Sequence, residues 1–381
     1  MKNRLLALTA FSIALTAHAQ LAVSTNDAHA ELVNGVNTVP KNPPSDTLAV
    51  IDLSVAPPKL RAEINVPGSV IGPPFSVAVT PDESLALVTA CMKVDPADPT
   101  KTTEDNRLFV VDLQSATPRI IATLPTGKGP AGIGINRQGT LAIIANRGDG
   151  TLSIFAIHGV NVSAQGNFTI GNATSALGTV AITPDGKRAL VTRDGDNLVT
   201  LLNIDGNQVT LAGRDVRTGF RPYGADITRD GHYAVVANVG YGNGDLDTIA
   251  LLDLRADPVR TVDIMPTPQT PEGIKLSPDG TICAIVVHDG SNKAKDSPFY
   301  HDHGQLLLYK ITDGKFAPLA HAPIGHWSQG IAFSDDGKTI IVGNMVEKNI
   351  QIFSWDGQTL HDTGGTIPLH AGSAAIATAQ K

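Results

Sequence analysis

Residues 177–202 read LGTVAITPDGKRALVTRDGDNLVTLL, a pattern that the rest of the chain repeats. Apolar residues alternate with others up to Ile182, stop at a Pro-Asp-Gly turn, and resume over residues 189–191. Proline presets the backbone angle of such a turn, aspartate bonds to nearby amides, and glycine supplies a positive φ. A third apolar run follows over residues 198–202, so the stretch predicts three consecutive antiparallel strands.

Five further copies of this pattern occur in the chain, and their turn residues stand 45 to 57 positions apart. Repeats of this length that carry several strands each are typical of propeller blades, whereas helical solenoids need apolar residues at helical spacing. The copies lie at residues 74–90, 130–146, 222–238, 271–287 and 329–344.

The two termini supply the fragments of one more blade. Residues 47–53 and 61–66 predict a third and a fourth strand with no first or second strand before them, and residues 372–379 predict a lone first strand. A blade built from both termini removes the open sheet edges that favour aggregation. The sequence therefore predicts an all-β fold, a seven-bladed β-propeller of four-stranded antiparallel blades whose ring is closed by a blade shared between N- and C-terminal strands.

Composition restricts the classes of partner. The chain has 29 Lys and Arg against 36 Asp and Glu, a net charge of −7, and no run of basic residues. Such a chain is not suited to binding nucleic acid or an anionic membrane surface. Its two cysteines, Cys91 and Cys283, fall in different repeats, so we expect no disulfide.

The N-terminus predicts export. Residues 1–19 have a basic start, an apolar centre and a small-x-small end, which is the pattern of a secretory signal peptide cleaved before Gln20. Polar residues and prolines over 20–45 predict a flexible lead-in, and the propeller is expected over residues 46–381. No other apolar stretch is long enough to span a membrane. We expect a periplasmic or secreted protein.

Two loops are longer than the repeat requires. The ends of the second strands and the starts of the first strands should share the face opposite the Pro-Asp-Gly turns, which we call the loop face. Most connections there are short, but residues 91–106 are acidic and proline-bearing, and residues 288–303 are rich in histidine. Loops held on a rigid scaffold commonly carry function, so these two are the main functional candidates.

The segments IANRGDGTLSIFAI (residues 144–157), VTRDGDNLVTLLNI (191–204) and GNMVEKNIQIF (343–353) resemble the repeats of the YVTN-repeat family and the neighbouring lactonase-like seven-bladed propellers. The resemblance covers residues 46–380 and implies the propeller fold. The lactonase-like members are implied to hydrolyse sugar or muconate-type lactones with Glu, Arg and His at the channel mouth. The repeat residues themselves are turn and packing residues.

Histidines predict a metal site on the loop face. Four histidines lie on loops of repeats five and six that should share this face. Imidazoles that converge with carboxylates can hold one divalent metal ion, and that ion would activate a bound water. A solvated loop, or metal-free binding and acid–base work, are the alternatives. The proposed ligands are His288, His301, His303 and His326.

Charged and polar residues at strand ends predict a site around the channel mouth. Arginines there suit a carboxylate or phosphate ligand, and Glu272 or His288 could act as a general base. The alternative is that the mouth charges pair with one another. The catalytic candidates are Glu272, His288, Arg193 and Arg221, and the ligand-binding candidates are Arg147, Asn146, Asn238, Tyr223, Asn344 and Trp327.

These observations favour an exported propeller that binds a small polar or anionic ligand, or a periplasmic protein, on its loop face. One alternative is a lactonase-type hydrolase at the channel mouth, with or without a metal. Another is a docking subunit of a periplasmic redox system, for which Phe299, Tyr300 and Trp327 would form an exposed apolar patch.

Overall fold

The computed structural model describes residues 20–381, and the expected signal peptide at residues 1–19 lies outside the described residues. Seven four-stranded antiparallel sheets form the blades of a propeller ring, which confirms the predicted fold class. None of the helical turns within residues 20–381 has the length and apolar character of a membrane-crossing helix.

Strands follow one another from residue 21 to residue 378. They are β1 (Leu21–Asp27), β2 (Glu31–Val33), β3 (Val36–Thr38), β4 (Thr47–Asp52), β5 (Lys59–Asn65), β6 (Val77–Val79), β7 (Leu85–Thr89), β8 (Met92–Val94), β9 (Thr102–Glu104), β10 (Arg107–Asp112), β11 (Arg119–Pro125), β12 (Pro130–Ile135), β13 (Leu141–Asn146), β14 (Thr151–His158), β15 (Asn161–Thr169), β16 (Leu177–Ile182), β17 (Arg188–Arg193), β18 (Leu198–Asp205), β19 (Gln208–Leu211), β20 (Pro222–Ile227), β21 (Tyr233–Asn238), β22 (Asp247–Asp253), β23 (Arg260–Thr267), β24 (Pro271–Leu276), β25 (Ile282–Val287), β26 (Gly304–Thr312), β27 (Lys315–Ile324), β28 (Ser328–Phe333), β29 (Thr339–Asn344), β30 (Asn349–Trp355), β31 (Leu360–Pro368) and β32 (Gly372–Thr378). Short 3₁₀ helices occupy Ala173–Ser175 and Asp194–Asp196.

Each of the six internal repeats forms one blade, numbered along the chain, with its first strand innermost. Blade 1 is β6, β7, β10 and β11; blades 2 to 6 take β12 to β31 in groups of four. The closing blade has the order β32-β1-β4-β5, so it joins the two ends of the chain as predicted. Ala22 pairs with Thr378 of β32 on one side and with Ile51 of β4 on the other.

The prediction of a flexible lead-in over residues 20–45 is wrong. β1 is the buried second strand of the closing blade, and β2 with β3 forms a separate hairpin on the way to β4. More than half of β1 is polar, which concealed it, but these polar groups are paired inside the blade. Ser24 Oγ lies 2.8 Å from Ser373 Oγ, and Asn26 Nδ2 donates to Thr47 Oγ1 at 2.9 Å.

The Pro-Asp-Gly turns work as the sequence predicts. Asp185 Oδ1 accepts hydrogen bonds from Thr183 Oγ1 at 2.6 Å and from the Lys187 amide at 3.0 Å, while Gly186 has a φ of +70°. The same pair of bonds recurs at the equivalent aspartates Asp82, Asp230, Asp279 and Asp336. These turns define the turn face, opposite the loop face, and the apolar side chains between blades form the core.

Candidate functional site

The central channel is filled from the loop face. The seven first strands line it, and the cavity left between them has a volume of only about 60 Å³. Residues 73–75, Pro-Pro-Phe, enter it just before β6, and the Phe75 carbonyl accepts a hydrogen bond from the Ile133 amide at 2.9 Å. We call residues 73–75 the plug. The plug therefore fills much of the space enclosed by the first strands.

Two glycines of the first strands make room for the plug. A Cβ placed on Gly178 would lie 3.4 Å from Pro73 Cγ, and one on Gly224 would lie 3.2 Å from Phe75 Cε2. Larger side chains at these positions would crowd the inserted residues. The plug was not predicted from the sequence, although two consecutive prolines outside a repeat turn were a visible signal.

Arg147 and Arg221 share one carboxylate at the mouth. Arg147 Nη2 lies 2.5 Å from Asp194 Oδ2, and Arg221 Nε lies 2.7 Å from Asp194 Oδ1. Burial alone would raise the pKa of Asp194, but hydrogen bonds from Arg221 and the charge of Arg147 outweigh it and hold this pKa below its usual value. The ionised carboxylate therefore offsets much of the positive charge predicted to attract a ligand.

Tyr223, Glu272 and His288 lie together beside that cluster. Arg147 stacks over the Tyr223 ring at 5.7 Å, and burial, followed by the charge of Glu272, raises the Tyr223 pKa well above its usual range. The His288 ring is fully buried, its Nε2 lies 2.9 Å from the Ser328 carbonyl oxygen, and its Nδ1 lies 3.8 Å from Glu272 Oε1. His288 Nδ1 has no hydrogen-bond partner among the described residues.

The asparagines Asn146, Asn238 and Asn344 are buried inside their blades. Each ends a second strand and donates its side-chain amide to the start of the third strand, for example Asn146 to Thr151 Oγ1 at 2.9 Å and Asn238 to Thr248 Oγ1 at 3.0 Å. The equivalent bond joins Asn344 to Asn349 at 2.9 Å. The structure thus uses these three predicted ligand-binding residues to brace loops.

Arg193 has two carboxylate partners of its own. Its Nε donates to Asp196 Oδ2 at 2.7 Å, and its Nη1 contacts Asp215 Oδ2 at 3.2 Å. Both partners belong to the same repeat, so the guanidinium braces blade 3. The structure does not join Arg193 to Glu272 or His288.

The four predicted metal ligands do not form one coordination sphere. His301 Nδ1 lies 3.0 Å from Asp289, His303 Nδ1 lies 3.1 Å from the Gly304 carbonyl, and His326 Nδ1 lies 2.6 Å from Glu347. His288 lies in the buried cluster described above. Within residues 20–381 no three of these histidines and their acidic neighbours bring ligand atoms within 4.8 Å of one another. The set His288, His301, His303 and His326 is therefore corrected to four separate contacts.

A different histidine lies between two carboxylates. His29 Nδ1 is 3.1 Å from Asp27 Oδ1 and 3.0 Å from Asp46 Oδ1. The carboxylates also accept backbone amides, including Val70 to Asp27 at 2.8 Å and Gly68 to Asp46 at 3.1 Å. We call Asp27, His29 and Asp46 the clasp, because it holds the chain leading to the plug against the end of β1. The clasp was not predicted, because it lies in the supposed lead-in.

Of the two long loops, residues 91–106 form a hairpin, β8 and β9, and Asp105 at its base pairs with Arg107. Burial raises the pKa of Cys91 to about 12, so this thiol is not a ready nucleophile. Both Cys91 and Cys283 are buried and free. This loop contributes structure at the mouth.

The second long loop forms one wall of a loop-face pocket. The tip of the β2–β3 hairpin reaches it, because a Cβ on Gly35 would lie 2.3 Å from the Ala294 amide nitrogen. Between hairpin, loop and blade 6 lies a pocket of about 420 Å³, which we call the hairpin pocket. It is lined by Leu32, Asn34, Gly35, Ser291, Lys293, Lys295, Tyr300, His326 and Val346.

Trp327 packs beneath this pocket instead of facing a ligand. It is 9% exposed and belongs to a small apolar cluster with Val70, Met345 and Ala374. Two exposed aromatic side chains of the loop face lie elsewhere: Phe220 and Tyr241 are 67% and 68% exposed, with ring centroids 6.3 Å apart. Phe299, 39% exposed, reaches the same blade 4 loop at Gly244. Phe299, Tyr300 and Trp327 were predicted to form an apolar patch, and of these Phe299 joins the exposed aromatic group of Phe220 and Tyr241.

No family model matches the chain, and no curated protein matches it in sequence. Similar solved structures share the fold at low identity. A protein from Bacteroides fragilis described as a candidate 6-phosphogluconolactonase is 17% identical, with a TM-score of 0.72 over 96% of this chain and 99% of its own.

Two further neighbours have different names. The periplasmic gluconolactonase of Pseudomonas aeruginosa is 13% identical, with a TM-score of 0.66 over 95% of this chain and 99% of its own. A hydrazine synthase chain from Kuenenia stuttgartiensis is 15% identical, with a TM-score of 0.62 over 82% of this chain and 91% of its own. At these identities the likeness shows a shared propeller fold, and this fold hosts unrelated activities.

Proposed function

We propose that this chain is an exported β-propeller that binds a small anionic molecule in the hairpin pocket of its loop face. The observation that carries the proposal is the pocket itself, because Lys293 and Lys295 line it and neither has a carboxylate within 4.0 Å among the described residues. The mouth arginines, by contrast, already share Asp194. Concave sites with a few convergent polar groups are the usual places for small ligands.

Titration calorimetry with phosphate, citrate, gluconate and 6-phosphogluconate tests this site. We expect one of these anions to bind, and Lys293→Gln and Lys295→Gln each to weaken it about tenfold, as the loss of a charged hydrogen bond would. Lys310→Gln, which removes an exposed lysine of β26, is the matched control. If no anion binds at millimolar concentration, or if the lysine variants bind as the parent does, the proposal is wrong.

A lactonase-type hydrolase is the second candidate, supported by the Glu272–His288 pair. The unpartnered Nδ1 of a fully buried imidazole, 3.8 Å from a carboxylate, is an arrangement that can accept or relay a proton. Glu272 would take a proton from water as the water attacks the lactone carbonyl, and it would return that proton to the ring oxygen as the bond between the carbonyl carbon and the ring oxygen breaks. Turnover of a lactone panel that is lost in Glu272→Gln would support this activity, and absence of turnover in the parent would reject it.

Protein docking on the same face is the alternative to a small ligand. The exposed Phe220, Tyr241 and Phe299 support it, because aromatic side chains are enriched in interfaces. Phe220→Ser with Tyr241→Ser should leave anion binding in the hairpin pocket unchanged. A periplasmic partner that binds the parent and is lost in this double variant would identify the patch as its site.

Export rests on the N-terminal pattern and on the use that the fold makes of Gln20. This residue, predicted to begin the mature chain, is 6% exposed, and its side chain accepts the Asp335 amide at 2.7 Å. Cleavage before Gln20 would keep every residue of the closing blade. The intact mass of the protein recovered from the periplasm should correspond to residues 20–381, and a cytoplasmic, uncleaved product would contradict the proposal.

A further inference from the structure

Blade 3 has an incomplete outer strand. Its fourth strand, β19, has 4 residues, whereas β11 and β5 have 7 and β15 has 9. The ladder is interrupted after Ala212, whose amide donates to the Leu201 carbonyl, and resumes as a single bridge between Val216 and Val199. Residues 213–215 therefore bulge away from the sheet opposite Thr200.

The interruption opens the core between blades 3 and 4. A cleft of about 340 Å³ lies there, between the bulge and the turn that joins β22 to β23. We call it the blade 3–4 cleft. Its apolar lining includes side chains that belong to the core between these two blades: Leu190, Leu201, Ile227, Leu254 and Val259. A cleft of this volume, mostly apolar, is within the range of small-molecule sites, roughly 300–1,000 Å³.

The polar groups at the rim are mainly cationic. Arg188 Nη1 donates to the Leu254 carbonyl at 2.9 Å, and Arg214 Nη2 donates to the Val259 carbonyl at 3.0 Å, so both guanidiniums reach from blade 3 to blade 4. Neither has a carboxylate within 4.0 Å in the described part of the chain. Arg255 is already paired with Asp253, and Asp257 is the lining's one carboxylate among the described residues.

We propose that the blade 3–4 cleft binds a small amphipathic carboxylate, an aromatic or short aliphatic acid whose apolar body enters the core and whose carboxylate meets Arg188 and Arg214. Each guanidinium has five N–H donors and uses one of them on a carbonyl, which fixes its position and leaves others for a ligand. On a chain with a net charge of −7, two arginines without acidic partners beside an apolar opening match an anion with an apolar body.

Calorimetry with 2-naphthoate, and with uncharged 2-naphthamide as its matched analogue, tests the proposal. We expect one naphthoate per chain and naphthamide binding at least tenfold more weakly. Arg188→Gln and Arg214→Gln should each weaken naphthoate about tenfold, because a hydrogen bond to a charged group is lost. Both variants should leave naphthamide binding unchanged. Arg61→Gln, an exposed arginine of β5, serves as the control.

A filled cleft provides the second arm. Ala212→Phe places a ring in the opening while the Ala212 amide can keep its bond to Leu201, so it should abolish binding of both naphthoate and naphthamide. Hydrogen exchange of residues 208–216 should slow when naphthoate binds to the parent. If naphthoate fails to bind at millimolar concentration, or binds equally to the two arginine variants, the proposal is overturned. Should Ala212→Phe fail to fold, the arginine variants and the exchange of the bulge decide the matter.

Discussion

Asp194 shows at the scale of one residue why the mouth charges are structural. Its side chain is 3% exposed and holds Arg147 and Arg221 together, so Asp194→Asn would leave two cations facing each other with their shared anion gone. Breaking a buried pair in this way costs about 3–5 kcal/mol. Urea unfolding should show that loss, whereas Asp98→Asn, at the exposed Asp98–Lys101 pair, should change little.

The stabilisation that Asp194 gives to the fold should depend on pH, because the pKa of Asp194 is lowered. A carboxyl with a folded pKa below its unfolded value stabilises the fold at any pH above the unfolded pKa, and the stabilisation is lost as pH falls through the folded pKa. The difference between parent and Asp194→Asn should therefore shrink in acid. A difference that grows below about pH 4, the usual aspartate pKa, would contradict this assignment.

The clasp at His29 should make stability fall as pH rises. Burial alone would lower the pKa of His29, but the hydrogen bond to Asp46 and the charge of Asp27 outweigh it and raise the pKa. The cation therefore stabilises the fold below the usual histidine pKa, and this is lost as pH rises through the folded value. Burial also raises the pKa of Asp27 to about 6. The protonated carboxyl of Asp27 therefore stabilises the fold in acid, and this stabilisation is likewise lost as pH rises through about 6.

Histidine NMR titration measures this directly, because the His29 ring should titrate above 6.5, the value for an unperturbed histidine. Urea unfolding at a series of pH values should show a decline above pH 6.5 that is smaller in His29→Gln. The exposed His158 offers a control through His158→Gln, which should keep the parent's slope. A His29 that titrates below 6.5 would refute the clasp.

At the scale of elements, the plug should be the most consequential insertion. Phe75 is half-buried in the channel against Gly224. Phe75→Ala therefore removes packing contacts, and the first strands of the propeller cannot move inward to replace them. We expect a loss of about 2 kcal/mol in the free energy of unfolding, below the range for fully buried phenylalanine, and a smaller loss for Phe75→Leu. Hydrogen exchange of residues 70–76 should quicken in parallel. Unchanged stability and exchange would mean that the plug is not held by packing.

The elements also show what the sequence could predict. Six blades were predictable because each repeats a local signal, a tight polar turn between alternating strands, centred on an aspartate in five of the six, and local signals are read from neighbours in the chain. β1 was not, because its polar residues find their partners far along the chain, in β32 at the opposite end, in β4, and in Ser76 just before β6. The candidate site was less predictable for the same reason. Strand ends placed Glu272 and His288 together, but only the folded chain shows that Asp194 occupies the mouth arginines.

At the scale of the whole molecule, the ring depends on its C-terminal strand. β32 pairs with β1, packs against β28 of blade 6, and completes the lining of the channel. Deleting residues 372–381 would expose an edge of β1 and open the ring beside blade 6, and exposed edges promote association. We expect the shortened chain to aggregate or to lose its cooperative unfolding transition, as size-exclusion chromatography and urea unfolding would show.

Removal of Lys381 alone separates strand loss from loss of charge. Lys381 pairs with the exposed Asp335 and with Glu83, whose side chain is only 9% exposed, so removing Lys381 leaves a buried carboxylate without its cation and should lower stability. The closing strand is kept, so this variant should remain monomeric and unfold cooperatively, unlike the chain that lacks β32. A synthetic peptide of residues 372–381 should restore the shortened chain, because an added strand can complete an open sheet edge through its main chain. A monomeric shortened chain with the parent's unfolding curve would instead mean that blades 1 to 6 hold the ring without the closing strand. Rescue by the peptide would locate the stability of the ring in that one pairing, which joins the first described strand to the last.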